Sequence, residues 1–266
     1  TENVWRVPEA EQPFPERFRE SGYRTAGVVA NRLLGSVERQ AAPDAPAVVY
    51  ESGFQLGFDH YEVFEHQPGA RGSRKGPPNS WYADEVVERG TRWVERTDTA
   101  DAPYLLWLHL FDPHHPRRPA DPGRTADFRG AADDAAYEAW RAGLPADLQD
   151  RVDPEAFAWV VDQRARYDAE VAGVDAALER LFAWLEERGE LEHTVVVLTA
   201  DHGEGLWRRP LPVGERAQPH NQVPALYADH GIQLFDEQVH VPLVLWGPGV
   251  GPARRVDTPV SLVDVA

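Results

Sequence analysis

Six apolar residues, Tyr167, Val171, Val174, Leu178, Leu181 and Leu185, recur at alternating spacings of four and three and commit the stretch from about Pro154 to Arg188 to one long helix with a core-facing stripe. Asp168, Glu170, Asp175, Glu179 and Arg180 mostly fall off that stripe and read as its solvated face. Gly189 stops the helix, and after His193 comes Val195 to Thr199, five consecutive apolar or β-branched residues that suit a strand buried on both faces. A long helix feeding a central strand is the unit from which layered α/β domains are built.

The rest of the chain repeats the alternation. Pro13 to Tyr23 reads as a short helix closed by Gly22, followed by a strand over Thr25 to Ala30. Ser80 can cap a helix running to about Thr97, with Trp81, Val86, Val87, Trp93 and Val94 as its apolar contacts, and Pro103 introduces the strand YLLWLHL. Val239 to Trp246 supplies another strand, ending at Gly-Pro-Gly, and Val256 to Val265 reads as a last strand and the start of a helix. The expected fold class is α/β, a mostly parallel central sheet between helices, in one main domain.

With 266 residues, 42% of them hydrophobic, and nine Trp, one large core can be buried. The formal charge of −17 argues against a nucleic-acid or anionic-membrane surface, which needs clustered Lys and Arg. No apolar stretch approaches the roughly 20 residues of a membrane span. The absence of Cys removes disulfides, thiolate metal sites and cysteine nucleophiles from these residues. The chain opens on Thr1, contains no Met and stops after SLVDVA, which reads as a domain cut at both ends.

Chemistry is expected where strands end. In VVVLTADHGEG a carboxylate, Asp201, and an imidazole, His202, follow the strand directly, and neighbouring oxygen and nitrogen donors can reach one divalent cation while Gly203 lets the backbone turn. In WLHLFDPHHP, His109, Asp112, His114 and His115 gather after another strand; Pro113 and Pro116 stiffen the loop, and His114 is the preferred contact to a tetrahedral anion or a leaving oxygen. The third segment, DHGIQLFDEQVHVPLVLWGPG, places His230 before a helical turn and a strand. Long connections at Gln67 to Asn79, Pro113 to Gly130 and Leu206 to Asp229 read as lids or substrate-binding loops. Arg117, Arg118, Arg124, Arg208 and Arg209 in the last two read as a basic rim for an anionic substrate.

The order of these segments, ERFRESGYRTAGVVAN, GFDHY, PYLLWLHLFDPHHP, YDAEVAGVDAALERL, HTVVVLTADHGEG, DHGIQLFDEQVHVPL and VDTPVSLVDVA, resembles the sulfatases of the alkaline phosphatase superfamily over most of the chain. The resemblance implies a divalent metal at the C-terminal strand ends, bound by Asp201 and His202, and hydrolysis of sulfate esters. It makes His114, in a Pro-His-x-Pro element, and His230 the substrate-binding and catalytic residues. Lys occupies the His230 position in many members. The implied cation is Ca²⁺, with Mn²⁺ or Zn²⁺ suited to the nitrogen donor of His202, where many calcium-dependent members carry Asn. The family's formylglycine, made from Cys or Ser in a Cys/Ser-x-Pro-x-Arg motif, and its first pair of metal-binding Asp residues match nothing in these residues and are expected upstream. The fragment alone is then expected to be inactive and to hold a metal weakly. The resemblance also points to a periplasmic or secreted protein. Two rival readings remain: a phosphodiesterase, phosphonate monoester hydrolase or phosphoglycerol transferase of the same superfamily, acting on phosphate esters, and a non-catalytic anion- or glycan-binding relative.

Overall fold

The computed structural model describes residues 12–31, 34–35, 37–39, 48–50, 53–64, 80–97, 102–211, 221–231 and 233–265. In chain order these form α1 (Phe14–Glu20), β1 (Arg24–Val29), β2 (Val37–Arg39), β3 (Val48–Tyr50), β4 (His60–Val63), α2 (Ala83–Thr97), β5 (Tyr104–His109), α3 (Thr125–Phe128), α4 (Asp134–Ala142), α5 (Ala146–Gln149), α6 (Pro154–Glu187), β6 (Val196–Thr199), β7 (Gly205–Pro210), β8 (Leu226–Asp229), α7 (Asp236–Val239) and β9 (Leu243–Trp246). The fold is α/β. Two compact units divide the chain, one of Thr1–His114, Gly173–Trp184 and Ala253–Ala266, the other of His115–Ala172 and Leu185–Pro252. Among the described residues no helix is long and apolar enough to cross a membrane.

The first unit is organised by a three-stranded sheet in the order β4-β1-β5, parallel throughout, with Ala26 opposite His60 and Leu106 and Val29 opposite Val63 and His109. The central strand β1 is buried from Thr25 onward, as a strand covered on both faces must be. On one face α2 lays Val86, Trp93 and Val94 onto Ala26, Val28 and Ala30. Ala83 and Val87 of the same helix meet Ala177, Val174 and Leu181 of α6, so part of the stripe read from the sequence does face a core. The other face carries Phe58, Tyr61 and Trp107, whose rings lie 5.5 to 6.3 Å apart. Gly27 admits them, since a Cβ there would stand 2.8 Å from the Tyr61 ring. The parallel order brings the ends of β1, β4 and β5 to one edge, and the segment carrying Asp112 and His114 leaves from it.

The second unit has its own core. Leu144, Leu148, Val152 and Val160 pack with Trp207, Val223, Ala225, Leu226 and Ala228, and Trp140 and Trp159 close over them. β7 and β8 pair antiparallel, and buried Asn221 ties them together: it accepts from Trp207 Nε1 (2.9 Å) and from the Val223 N–H, and donates to Leu226 O (2.9 Å). β6 pairs antiparallel with β9, Val196 opposite Trp246 and Thr199 opposite Leu243.

Several expectations change. Of the run Val195–Thr199, Val196–Thr199 form a strand, but not one buried on both faces: Val197 is 45% exposed and Leu198 37%, and Val195 just before it 52%. Its neighbour β9 is antiparallel, which an apolar run cannot specify because pairing direction is set by the partner. Leu206 to Asp229 is no continuous loop, because it opens and closes on β7 and β8. His193 ends a 3-10 turn, Leu191–His193, and Val256 to Val265 contains only another such turn, Leu262–Asp264. The Gln67 to Asn79 loop lies outside the described residues.

Leu226 is wholly buried at the centre of the second core. Leu226→Ala is expected to cost about 2–5 kcal/mol, read as a lower midpoint in urea denaturation, and a cost under about 1 kcal/mol would show that this cluster is not a packed core.

Candidate metal and anion site

Past β6 the chain turns sharply through Ala200 and Asp201 to Gly203, whose N–H donates to Gln238 O at 2.8 Å. A Cβ on Gly203 would lie 2.1 Å from Glu237 O, so this close approach of two backbones admits no side chain. The turn leaves Asp201 and His202 in the open, their side chains 80% and 40% exposed. Asp201 Oδ1 accepts from the His202 N–H at 2.9 Å. His202 Nδ1 lies 2.8 Å from Gly203 O, and because a carbonyl can only accept, Nδ1 carries the proton and Nε2 of the neutral ring keeps its lone pair.

That lone pair stands 3.6 Å from Asp201 Oδ2. Donor–metal distances of roughly 2.0–2.6 Å mean that the two atoms are close enough for one divalent cation to touch both. Among the described residues no group of three or more His, Cys, Asp or Glu side chains converges for a metal.

His230 joins this pair through the β7–β8 register. Gly205 opposite Asp229 brings Glu204, just before β7, and His230, just after β8, to the same end of the ladder. The His230 ring stacks on His202 with centroids 3.9 Å apart, and its Nδ1 lies 3.5 Å from Glu204 Oε2. The Glu204 carboxylate holds the His230 pKa above the usual imidazole value, against desolvation, which lowers it. Arg117 completes the group, with Nη2 3.3 Å from Glu204 Oε2 and side chains only 1% and 7% exposed. Its guanidinium also lies over the Tyr167 and Trp207 rings, 5.8 and 5.3 Å from their centroids.

The basic-rim expectation therefore fails at two of its arginines: Arg117 is buried against a carboxylate, and Arg209 is paired with Glu237 at 2.7 and 2.8 Å. Arg124 reaches Ala172 O, while Arg118 and Arg208 are exposed. Glu204 has no place in the sequence reading of the site, and Arg117 enters it only as one arginine of the basic rim. The available signal was an acid two residues beyond His202 in a stretch otherwise read as a metal motif.

His114 belongs to the other unit. The segment after β5 turns back on itself, His114 N–H donating to Phe111 O at 2.9 Å, and the imidazole stacks on the Phe111 ring at 4.2 Å. His109 and Phe111 extend the same row of rings, with centroids 6.2 Å apart. Asp112, beside His114, is largely buried; desolvation pushes its pKa from 3.8 to about 6, against hydrogen bonds from its own N–H and that of Ala83.

The folded protein thus holds the Asp112 proton more tightly than the unfolded chain does, so this group costs nothing below pH 3.8 and its full penalty above about pH 6. Asp112→Asn is expected to stabilise the protein at pH 8 by up to about 3 kcal/mol, the gain fading as pH falls through that window. Thermal melts of both proteins at pH 4 and pH 8 check this, and a gain independent of pH would refute it.

The sulfatase family model matches residues 1–266. Arylsulfatase K of Danio rerio is 28% identical over 68% of the chain, which covers 35% of that protein. The uncharacterized sulfatase YdeN of Escherichia coli K12 is 21% identical over 97% of the chain and 42% of its own length. The chain therefore spans between a third and a half of the length of these curated relatives. Among solved structures, BT4656, determined with its substrate D-glucosamine-2-N,6-O-disulfate, superposes with a TM-score of 0.55 at 18% identity, over 93% of this chain and 57% of that one. The phosphonate monoester hydrolase of Agrobacterium radiobacter does so at 0.52 and 19% identity, over 92% and 54%. With the family model running through both units, the chain belongs to the sulfatase family.

Proposed function

We propose that the protein containing this chain is a sulfuric ester hydrolase acting on an anionic sulfate ester with the help of one divalent cation. The observation that carries this reading is the grouping of Asp201, His202 and His230 in one unit of a chain matched along its length by the sulfatase model. Asp201 Oδ2 and His202 Nε2 are the proposed ligands. A cation held by these two residues would polarise the ester and neutralise charge on the sulfate oxygens. The family resemblance favours Ca²⁺, and an imidazole nitrogen in the donor set also suits Mn²⁺ or Zn²⁺. His230, beside the Glu204 carboxylate, presents a basic group to a sulfate oxygen. His114 is proposed to meet the sulfate or its leaving oxygen from the loop after β5, where the ring stack with Phe111 restricts its orientation. The nucleophile, a formylglycine by the same resemblance, is assigned to no residue of this chain.

In the full-length protein, Asp201→Ala is expected to lower kcat/KM for 4-nitrophenyl sulfate by on the order of 100-fold or more, the loss of several kcal/mol of charge stabilisation. Chelation should do the same to the unsubstituted protein, and returning Ca²⁺ or Mn²⁺ should restore it. Unchanged kinetics in Asp201→Ala would remove the metal role. Bis(4-nitrophenyl) phosphate assayed in parallel separates the superfamily's chemistries: faster turnover of the diester would move the assignment to a phosphoesterase, and binding without turnover of either would move it to the non-catalytic reading.

A further inference from the structure

The Arg117–Glu204 ion pair is deeply buried, and one member of it lies beside His230. Three features make Glu204 more than a structural anion. Its Oε2 is shared by Arg117 Nη2 at 3.3 Å and His230 Nδ1 at 3.5 Å, while Oε1 is buried and accepts no hydrogen bond among the described residues. Its location is fixed by strand register, because Gly205 pairs with Asp229 and a Cβ on Gly205 would collide with the Tyr227 ring at 2.7 Å. The backbone that delivers His230 is equally constrained: Asp229 has φ 71°, and Gln238 Nε2 donates to its carbonyl at 2.8 Å.

We propose that Glu204, anchored by Arg117, is a positioning residue that holds the His230 ring by its Nδ1 edge against the face of His202, so that the opposite, Nε2 edge is the one offered to the substrate oxyanion. The ring is gripped on an edge by a carboxylate and on a face by a second imidazole, which leaves one orientation for an anion to meet. Arg117 keeps the carboxylate in place because its own guanidinium is immobilised over the Tyr167 and Trp207 rings. This inference rests on the reading of His230 as an anion contact.

The test is a double-mutant cycle in the full-length protein, with KM and kcat measured on 4-nitrophenyl sulfate. Glu204→Ala is expected to raise KM about tenfold with kcat changed less than about threefold, and Glu204→Gln, which keeps an acceptor at the same place, to recover most of that loss. His230→Ala should raise KM at least as much, and Glu204→Ala combined with His230→Ala should be no worse than His230→Ala alone. Glu204→Ala leaves the Arg117 charge buried; if it does not fold, the paired Arg117→Met/Glu204→Leu variant removes both charges and is read in the same cycle. Additive losses, or an unchanged KM in Glu204→Ala while His230→Ala is impaired, would overturn the positioning role alone. An unchanged KM in His230→Ala would take down the anion-contact reading and this inference together.

Discussion

The antiparallel register of β7 on β8 is the constraint from which the candidate site follows. Pairing Gly205 with Asp229 carries a carboxylate from the end of the ADHGE stretch and an imidazole from a segment more distant in sequence to the same end of one ladder. A slip of one residue would put the two side chains on opposite faces. The register is held by side chains that do no chemistry themselves: Asn221 bridges Trp207 and Leu226, Arg164 donates to the carbonyls of Leu206 and Trp207, and Gln238 donates to Asp229 O. These bonds also offset the local cost of Trp207 and Asp229, the two non-glycine residues with positive φ among the described residues.

The two units prepare histidines by different means. In the first, a parallel sheet with buried β1 brings strand ends to one edge, and aromatic stacking orders the segment that leaves β5. In the second, electrostatics does the ordering, through an arginine whose charge is matched by one carboxylate and spread over two aromatic faces. A stacked ring resists tilting, whereas an ion-paired ring resists turning; His114 stacks on Phe111, and His230 has both a stacking partner, His202, and an ion-pair partner, Glu204.

Periodic elements were the legible part of this chain. The observed bounds of α2, β5 and α6 lie within a few residues of the sequence reading, because a 3.6-residue stripe and a short apolar run after Pro103 depend on local order alone. Asp201, His202 and His230 stand out in the sequence as strand-end donors, and the structure places the three side by side. What could not be read were facts about partners. Arg117 looked like a loop arginine because nothing near it in sequence reveals Glu204, and WRRP at the end of β7 shows no alternation to mark a strand. The last stretch, with Val260 and Val263 well exposed, has apolar composition without the packing that would turn it into a strand.

The β6–β9 pair has a consequence for how this polypeptide behaves in solution. Val195, Val197, Val244, Leu245 and Trp246 give it a sticky surface, and two-stranded edges of that kind invite self-association. A formal charge of −17 opposes this by colloidal repulsion that reaches roughly 8 Å at physiological ionic strength and about 3 Å at 1 M salt. The same acidity keeps neighbouring molecules apart, and brine is the condition under which they would clump.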